Sequence, residues 1–271
     1  MTLRERKLQE KRGWAFSLGV AIVKPTLLAT TTHEWRDTHN LPESGGYVVV
    51  LNHVSHLDPL TAAHLIYDHG RIPRYLAKSG LFKNRLLGGF LRSAGQIPVE
   101  RLSRNAVGAF SAAVTAVREG KVVVVYPEGT LTRDPDLWPM VGKSGAARIA
   151  LETGCPVIPV GQWGAHEILY PYAKKPDLFP RKRITMKVGD AVDLGDLAAQ
   201  PLTPQVIQQA TDRIMAALTA LVEELRGEKA PVERYDMRLH GDPLTGNPHS
   251  AKTHMSDKLG MPNKPNKKDE A

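Results

Sequence analysis

The chain has 271 residues, 42% of them apolar and 24% charged, which suits one buried core and leaves little for a second full domain. Lysine and arginine outnumber aspartate and glutamate by 36 to 28, for a formal charge of +8, and such an excess favours anionic partners. The single cysteine, Cys155, excludes an internal disulfide and fits a reducing cytosol, and the 6% of aromatic residues are too few to interleave with the bases as a nucleic-acid groove would need.

Residues 1–40 read as a membrane-associating segment. A charged run, Thr2 to Arg12, precedes the apolar stretch Trp14 to Val23, and Lys24 and Pro25 interrupt it. As a helix those ten residues reach roughly 15 Å, half the thickness of a bilayer core, so they are expected to lie in the interface without crossing. A core-packing helix is the alternative. Ala29-Thr30-Thr31 is a poor cleavage site, which argues against a signal peptide.

Residues 41–228 carry an α/β pattern. Tyr47 to Leu51 is a fully apolar strand of the kind buried in parallel sheets. A helix follows over Pro59 to Tyr67, a strand over Arg74 to Ala77, a helix over Asn84 to Ser93 and a strand over Gln96 to Val99. Asn105 to Arg118 is a helix closed by Gly120, and Lys121 to Tyr126 is the clearest strand. Gly145 to Thr153 reads as a helix, Pro156 to Gly161 and Ile184 to Val188 as strands, and Pro204 to Arg226 as a long amphipathic helix. The alternation implies a largely parallel central sheet with helices on both faces. Beyond Gly227 periodicity is lost, so residues 229–271 are expected to form an extended or disordered tail.

Bases crowd one segment: Arg71, Arg74, Lys78, Lys83, Arg85, Arg92, Arg101 and Arg104 face the lone acid Glu100. A solvated basic face is the plain interpretation; a phosphate site beside an anionic membrane surface is the sharper one. Open α/β sheets collect their active sites at the carboxyl ends of strands. Four polar clusters fall there: His53 with Asp58, Lys78, Arg101, and Glu128-Gly129-Thr130. Histidine titrates near neutral pH, and a carboxylate five residues on can fix its tautomer and stabilise its imidazolium. Asp58 also stands where a helix N-cap would stand, with Pro59 at the first helical position. His53, His56 and Asp58 lack the spacing of a metal cluster, so no metal is expected.

Asn52-His53-Val54-Ser55-His56-Leu57-Asp58 resembles the first motif of the glycerolipid acyltransferase family, of the lysophosphatidic acid acyltransferase type. Leu76-Ala77-Lys78 with Leu81-Phe82 is similar to the segment before its second motif, and Gly95 to Arg101 resembles that motif. Tyr126-Pro127-Glu128-Gly129-Thr130 matches the third and Val157-Ile158-Pro159-Val160 the fourth, with Lys143 and Gly145 fitting the lysine-glycine pattern between them. The resemblance implies an α/β acyltransferase fold in which His53 is the general base and Asp58 orients it. It implies acyl-CoA or acyl carrier protein as donor, the 2-hydroxyl of 1-acylglycerol 3-phosphate as acceptor, and no cofactor. Arg101, Glu128, Gly129 and Thr130 would then bind the acceptor and its phosphate. Lys78 is a candidate oxyanion or donor contact, with Arg133 and Lys143 as further phosphate ligands. The expected place is the cytoplasmic face of the cell membrane, peripheral or monotopic, without nucleic acid.

Leu131 stands where the family's third motif usually carries an arginine. An acyltransferase for a glycolipid or another lysophospholipid therefore remains the alternative, and a non-catalytic lipid-binding protein is a third reading.

Overall fold

The computed structural model describes Leu8, residues 10–99 and residues 106–243. The chain divides into two units, 1–235 and 236–271. In the second, the described residues form a short turn in which Arg238 pairs with Asp236.

The first unit is built on a seven-stranded sheet. Its strands are β1 (Thr31–Arg36), β2 (Tyr47–Leu51), β3 (Pro73–Lys78), β4 (Ile97–Val99), β5 (Val122–Val125), β6 (Val157–Trp163) and β7 (Lys182–Val188), in the order β1-β7-β6-β2-β5-β3-β4. Among the described residues only the β6–β7 pair is antiparallel. The helices are α1 (Trp14–Thr30), α2 (Asp58–Asp68), α3 (Arg85–Ser93), α4 (Ala106–Arg118), α5 (Gly145–Thr153), α6 (Ala165–Ile168), α7 (Gly195–Ala198) and α8 (Pro204–Arg226). The largely parallel α/β expectation is met.

β2 sits at the centre, and all five of its residues are buried. Val48 and Val50 face a core completed by α4, α5 and α8, through Ala113, Val117, Ile149 and Ile214. Tyr47, Val49 and Leu51 face the opposite core, where α2 supplies Ala62, Leu65 and Ile66. Burial on both sides explains why this strand is a continuous apolar run without alternation. The turn that feeds it passes so close to α4 that a Cβ on Gly46 would stand 1.8 Å from the Val117 carbonyl oxygen. Only glycine fits there.

Three sequence expectations change. The helix α1 does not stop at Val23 but runs through Pro25 to Thr30, because Lys24 turns inward to pair with Asp68 of α2 at 2.8 Å. Thr31–Arg36, read as part of the N-terminal segment, is instead an edge strand of the sheet, paired with β7. The basic segment is not one solvated face. Arg71 is buried and Arg74 pairs with Glu10; among the described side chains of the segment, Lys83, Arg85 and Arg92 remain exposed around α3.

Among the described residues the Arg71 guanidinium has no carboxylate partner; its terminal nitrogens donate to the carbonyls of Pro42, Gly45 and Gly120, and the group lies over the Tyr47 ring. It thus ties together the turns entering β2, β3 and β5. Arg71→Met would strand three carbonyls, and the expected loss is about 3 kcal/mol, readable as a lower urea midpoint at unchanged slope.

Candidate active site

The strand order places the carboxyl ends of β2, β5 and β3 side by side. His53 leaves β2 by way of Asn52, Tyr126-Pro127-Glu128 leaves β5, and Lys78 ends β3. Asn52 continues the ladder after the strand stops. Its side chain donates to Gln162 O at 3.0 Å and accepts from Gln162 N–H at 2.9 Å, while Gln162 Nε2 donates to Asn52 O at 2.6 Å. The residue before His53 is therefore held as firmly as a strand residue.

Asp58 is fully buried, and one of its oxygens organises the whole 53–58 loop. Oδ2 lies 2.9 Å from His53 Nδ1 and accepts from the N–H groups of Val54 and Ser55, both at 2.7 Å. These donors lie upstream, and the side chain makes no capping bond to its own helix, so the N-cap role expected of Asp58 is not the one it plays. Burial raises its pKa, against the opposing pull of His53 and the two amides. With Nδ1–H donated to the carboxylate, Nε2 is left as the nitrogen that can accept a proton. The His53 side chain is 15% exposed. Ser55 is not a nucleophile for this histidine: its hydroxyl donates to Leu169 O at 2.8 Å.

A second buried carboxylate holds the histidine's main chain. Glu128 Oε1 accepts from His53 N–H at 2.9 Å and Oε2 from Met140 N–H at 3.1 Å, and the side chain has no exposed surface. Thr132 N–H donates to His53 O at 2.7 Å. Residues 128 and 132 thus grip the His53 peptide from both sides. Burial outweighs the two amide donors and pushes the Glu128 carboxyl up to about 8. The expectation that Glu128 contacts the acceptor is corrected here, since both oxygens are enclosed and already engaged by amides.

The neighbouring residues gather at the same edge. Gly129 has φ +73, and a Cβ on it would stand 2.6 Å from Lys143 Nζ, so the lysine side chain passes directly over the glycine. Lys143 N–H donates to Pro127 O at 2.8 Å. Thr130 Oγ1 is 3.4 Å from the Tyr172 hydroxyl, which donates to Leu131 O at 3.3 Å. Leu131 itself is buried. Arg133 donates its N–H to Met140 Sδ and has Nε enclosed, so the guanidinium is not an open phosphate fork. Lys78 reaches this edge by its main chain at the end of β3, and Arg101 lies outside the described residues. Among the described residues, no group of three or more histidine, cysteine or acidic side chains is placed to hold a metal ion.

A family model described as acyltransferase matches residues 33–163. The 1-acyl-sn-glycerol-3-phosphate acyltransferase of Bacillus subtilis is 27% identical over 187 residues, covering 69% of this chain and 83% of its own. The chloroplastic 1-acyl-sn-glycerol-3-phosphate acyltransferase BAT2 of Brassica napus is 34% identical over 132 residues. Through residues 33–163 the chain is similar to the acyltransferase family.

The match covers 48% of this chain but only 37% of the Brassica protein, so the chain spans about a third of that relative. The crystal structure of the 1-acyl-sn-glycerophosphate acyltransferase from Thermotoga maritima has the same fold, with a TM-score of 0.56, 21% identity, and coverage of 78% of this chain and 82% of that one.

Within the matched region the sequence motifs pointed to His53 and Asp58 but not to their supports. Asn52 and Gln162 carried a readable sign, each a polar residue at the end of an otherwise apolar central strand. Tyr172 carried none, because it lies in an irregular loop between α6 and β7 and reaches Leu131 only through the fold.

The raised carboxyl of Glu128 has a defined consequence. Its folded pKa lies above the ordinary 4.5, so the stability it contributes is complete below that value and falls as pH rises towards about 8. Glu128→Gln removes that titration. Its melting temperature is expected to gain on wild type between roughly pH 5 and 8 and to run parallel above, as thermal melts across pH would record. Glu128→Ala, which leaves both amides unmatched, is expected to lower kcat about tenfold or more.

Proposed function

We propose that this chain transfers an acyl group from a thioester, acyl-CoA or acyl carrier protein, to the 2-hydroxyl of a 1-acylglycerol 3-phosphate. The observation that carries the reading is the 2.9 Å pair of His53 Nδ1 and buried Asp58 Oδ2, which leaves Nε2 to work as a base. The acceptor hydroxyl gives its proton to Nε2 as its oxygen attacks the thioester carbonyl. Asp58 stabilises the imidazolium so formed. The tetrahedral intermediate then collapses, the C–S bond breaks, and His53 returns the proton to the departing thiolate. No acyl-enzyme is formed, because the substrate's own oxygen is the nucleophile.

Lys78 or a main-chain amide at this edge would steady the oxyanion, an effect worth ~3 kcal/mol in such sites. Arg101 suits the acceptor phosphate because its planar fork binds oxygens in pairs. Gly129, Thr130 and Lys143 line the same region, and the relatives' printed substrate supports a phosphate-bearing acceptor. Buried Leu131, where an arginine is usual, favours one departure from that pattern: an acceptor with a different headgroup.

The domain would act at the cytoplasmic surface of the membrane. The solvent-facing residues of α1 are Trp14, Leu18, Ala21, Ile22, Pro25, Thr26, Leu28 and Ala29, without a charge among them, since the helix's one charged side chain, Lys24, is spent on Asp68. Leu86 and Leu87 of α3 extend the apolar surface, with Lys83 and Arg85 beside them for anionic headgroups. Among the described residues no helix is long and apolar enough to cross a membrane, which suits a monotopic attachment.

His53→Ala is expected to lower kcat by orders of magnitude, while Arg101→Ala mainly raises KM for the acceptor. Mass spectrometry of products from acyl-CoA and a mixed acceptor pool identifies the substrate. Thiol release that proceeds equally well without any lysolipid would mark a hydrolase and end the transfer reading. Leu18→Asp with Ile22→Asp should abolish co-flotation with anionic vesicles while leaving the melting temperature close to that of wild type; unchanged flotation would refute the docking face.

A further inference from the structure

Three neighbouring strands carry three stacked rings, two just past the ends of β2 and β5 and one within β3. In the sheet β2, β5 and β3 are adjacent, and they deliver His53, Tyr126 and Tyr75 in the same order. The imidazole of His53 lies on the ring of Tyr126, with centroids 4.2 Å apart and planes inclined by 26°. Behind it the Tyr75 ring is nearly parallel to that of Tyr126, at 8°, with centroids 6.4 Å apart. The Tyr75 hydroxyl donates to Pro59 O at 2.6 Å, one residue beyond Asp58. The stack therefore returns to the very helix whose first residue binds the imidazole.

His53 is consequently held along two directions. Asp58 meets its edge, through Nδ1, and Tyr126 covers its face. A single hydrogen bond to a carboxylate sets a distance but leaves the ring free to swing about the line joining the two atoms. A stacked ring removes that swing. It also presents a negative π face to the imidazole, an attractive contact for a cation formed there.

We propose that Tyr126 is a positioning residue for His53, its ring face fixing the plane in which Nε2 meets the acceptor hydroxyl and supporting the cation formed on proton transfer. The inference rests on His53 being the base. The ring and not the hydroxyl carries the role: the phenol is buried beside Gln162, and burial raises its pKa well above the ordinary value, so it stays neutral and takes no part in proton transfer. Pro127 follows directly and Glu128 next, so the same turn that places Tyr126 beneath the imidazole also grips the His53 amide.

The test combines kinetics with proton NMR of the His53 Cε1–H, assigned by its disappearance in His53→Ala. In wild type and in Tyr126→Phe this resonance should lie upfield of an unstacked histidine, shifted by the ring current, and Tyr126→Phe should keep kcat within about twofold. In Tyr126→Leu the resonance should move back towards the unstacked position and kcat fall roughly tenfold, with KM for acyl-CoA unchanged. A wild-type resonance without the upfield shift overturns the proposal, and so does wild-type kcat in a folded Tyr126→Leu. Equal damage in Tyr126→Phe and Tyr126→Leu would transfer the role to the hydroxyl and overturn it too. Should Tyr126→Leu fail to fold, the wild-type and phenylalanine spectra still decide. Activity surviving in His53→Ala would strike the underlying reading instead, whatever the ring currents show.

Discussion

A carboxylate without solvent has to be matched by donors, and in this fold the matching of Asp58 shapes everything around it. Three donors converge on Oδ2: two consecutive main-chain amides and the imidazole Nδ1. Taking a carboxylate out of water costs several kcal/mol, so the loop from Asn52 to Leu57 has little freedom to adopt any other path. The orientation of His53 is then less a matter of its own rotamer than of where Asp58 must find its partners. Motif spacing follows from this, because five residues is the length that lets the chain turn back from the helix start to the histidine.

A second buried carboxylate makes the arrangement reciprocal. Glu128 belongs to the turn after β5, yet both its oxygens serve amides elsewhere, one on His53 and one on Met140. Asn52 and Gln162 do the same between β2 and β6 with three hydrogen bonds. Three strand ends are thus locked to one another by side chains just where their ladders run out. Preorganisation of that kind would suit the proposed transfer, in which His53 has to meet a hydroxyl and a thioester in one geometry with little reorganisation left for the reaction to drive.

Much of the fold was legible because burial on both faces leaves a simple mark. Tyr47 to Leu51 and Val122 to Val125 are unbroken apolar runs, and Pro204 to Arg226 shows helical periodicity with Thr203 capping and Gly227 closing it. The strand Thr31–Arg36 escaped because it is an edge with polar and exposed residues, paired on one side only. Pro25 was misleading for a physical reason: it faces away from the packed side of α1, where losing its amide does not break contacts with the sheet. At the site, the pairing of His53 with Asp58 was readable from their spacing. The role of Glu128 was not, because a carboxylate that binds substrate and one that holds main-chain amides look alike in sequence, and only burial separates them.

The helix α2 joins two ends of the problem. Its first residue, Asp58, orients His53; its last, Asp68, takes Lys24 from α1 at 2.8 Å, with His64 Nε2 at 3.2 Å from the other oxygen. Eleven residues of helix span about 16 Å, and a helix packed on the sheet does not flex over that length. If α1 lies on the lipid surface, the base is held at a fixed offset from the plane in which a lysolipid keeps its tail. Drawing Lys24 inward therefore does two things at once: it clears the outer face of α1 of charge, and it couples that face to the His53–Asp58 pair through one rigid element. An acceptor with its chain in the interface would need to lift only its glycerol headgroup to reach Nε2, and the length of α2 would set how far.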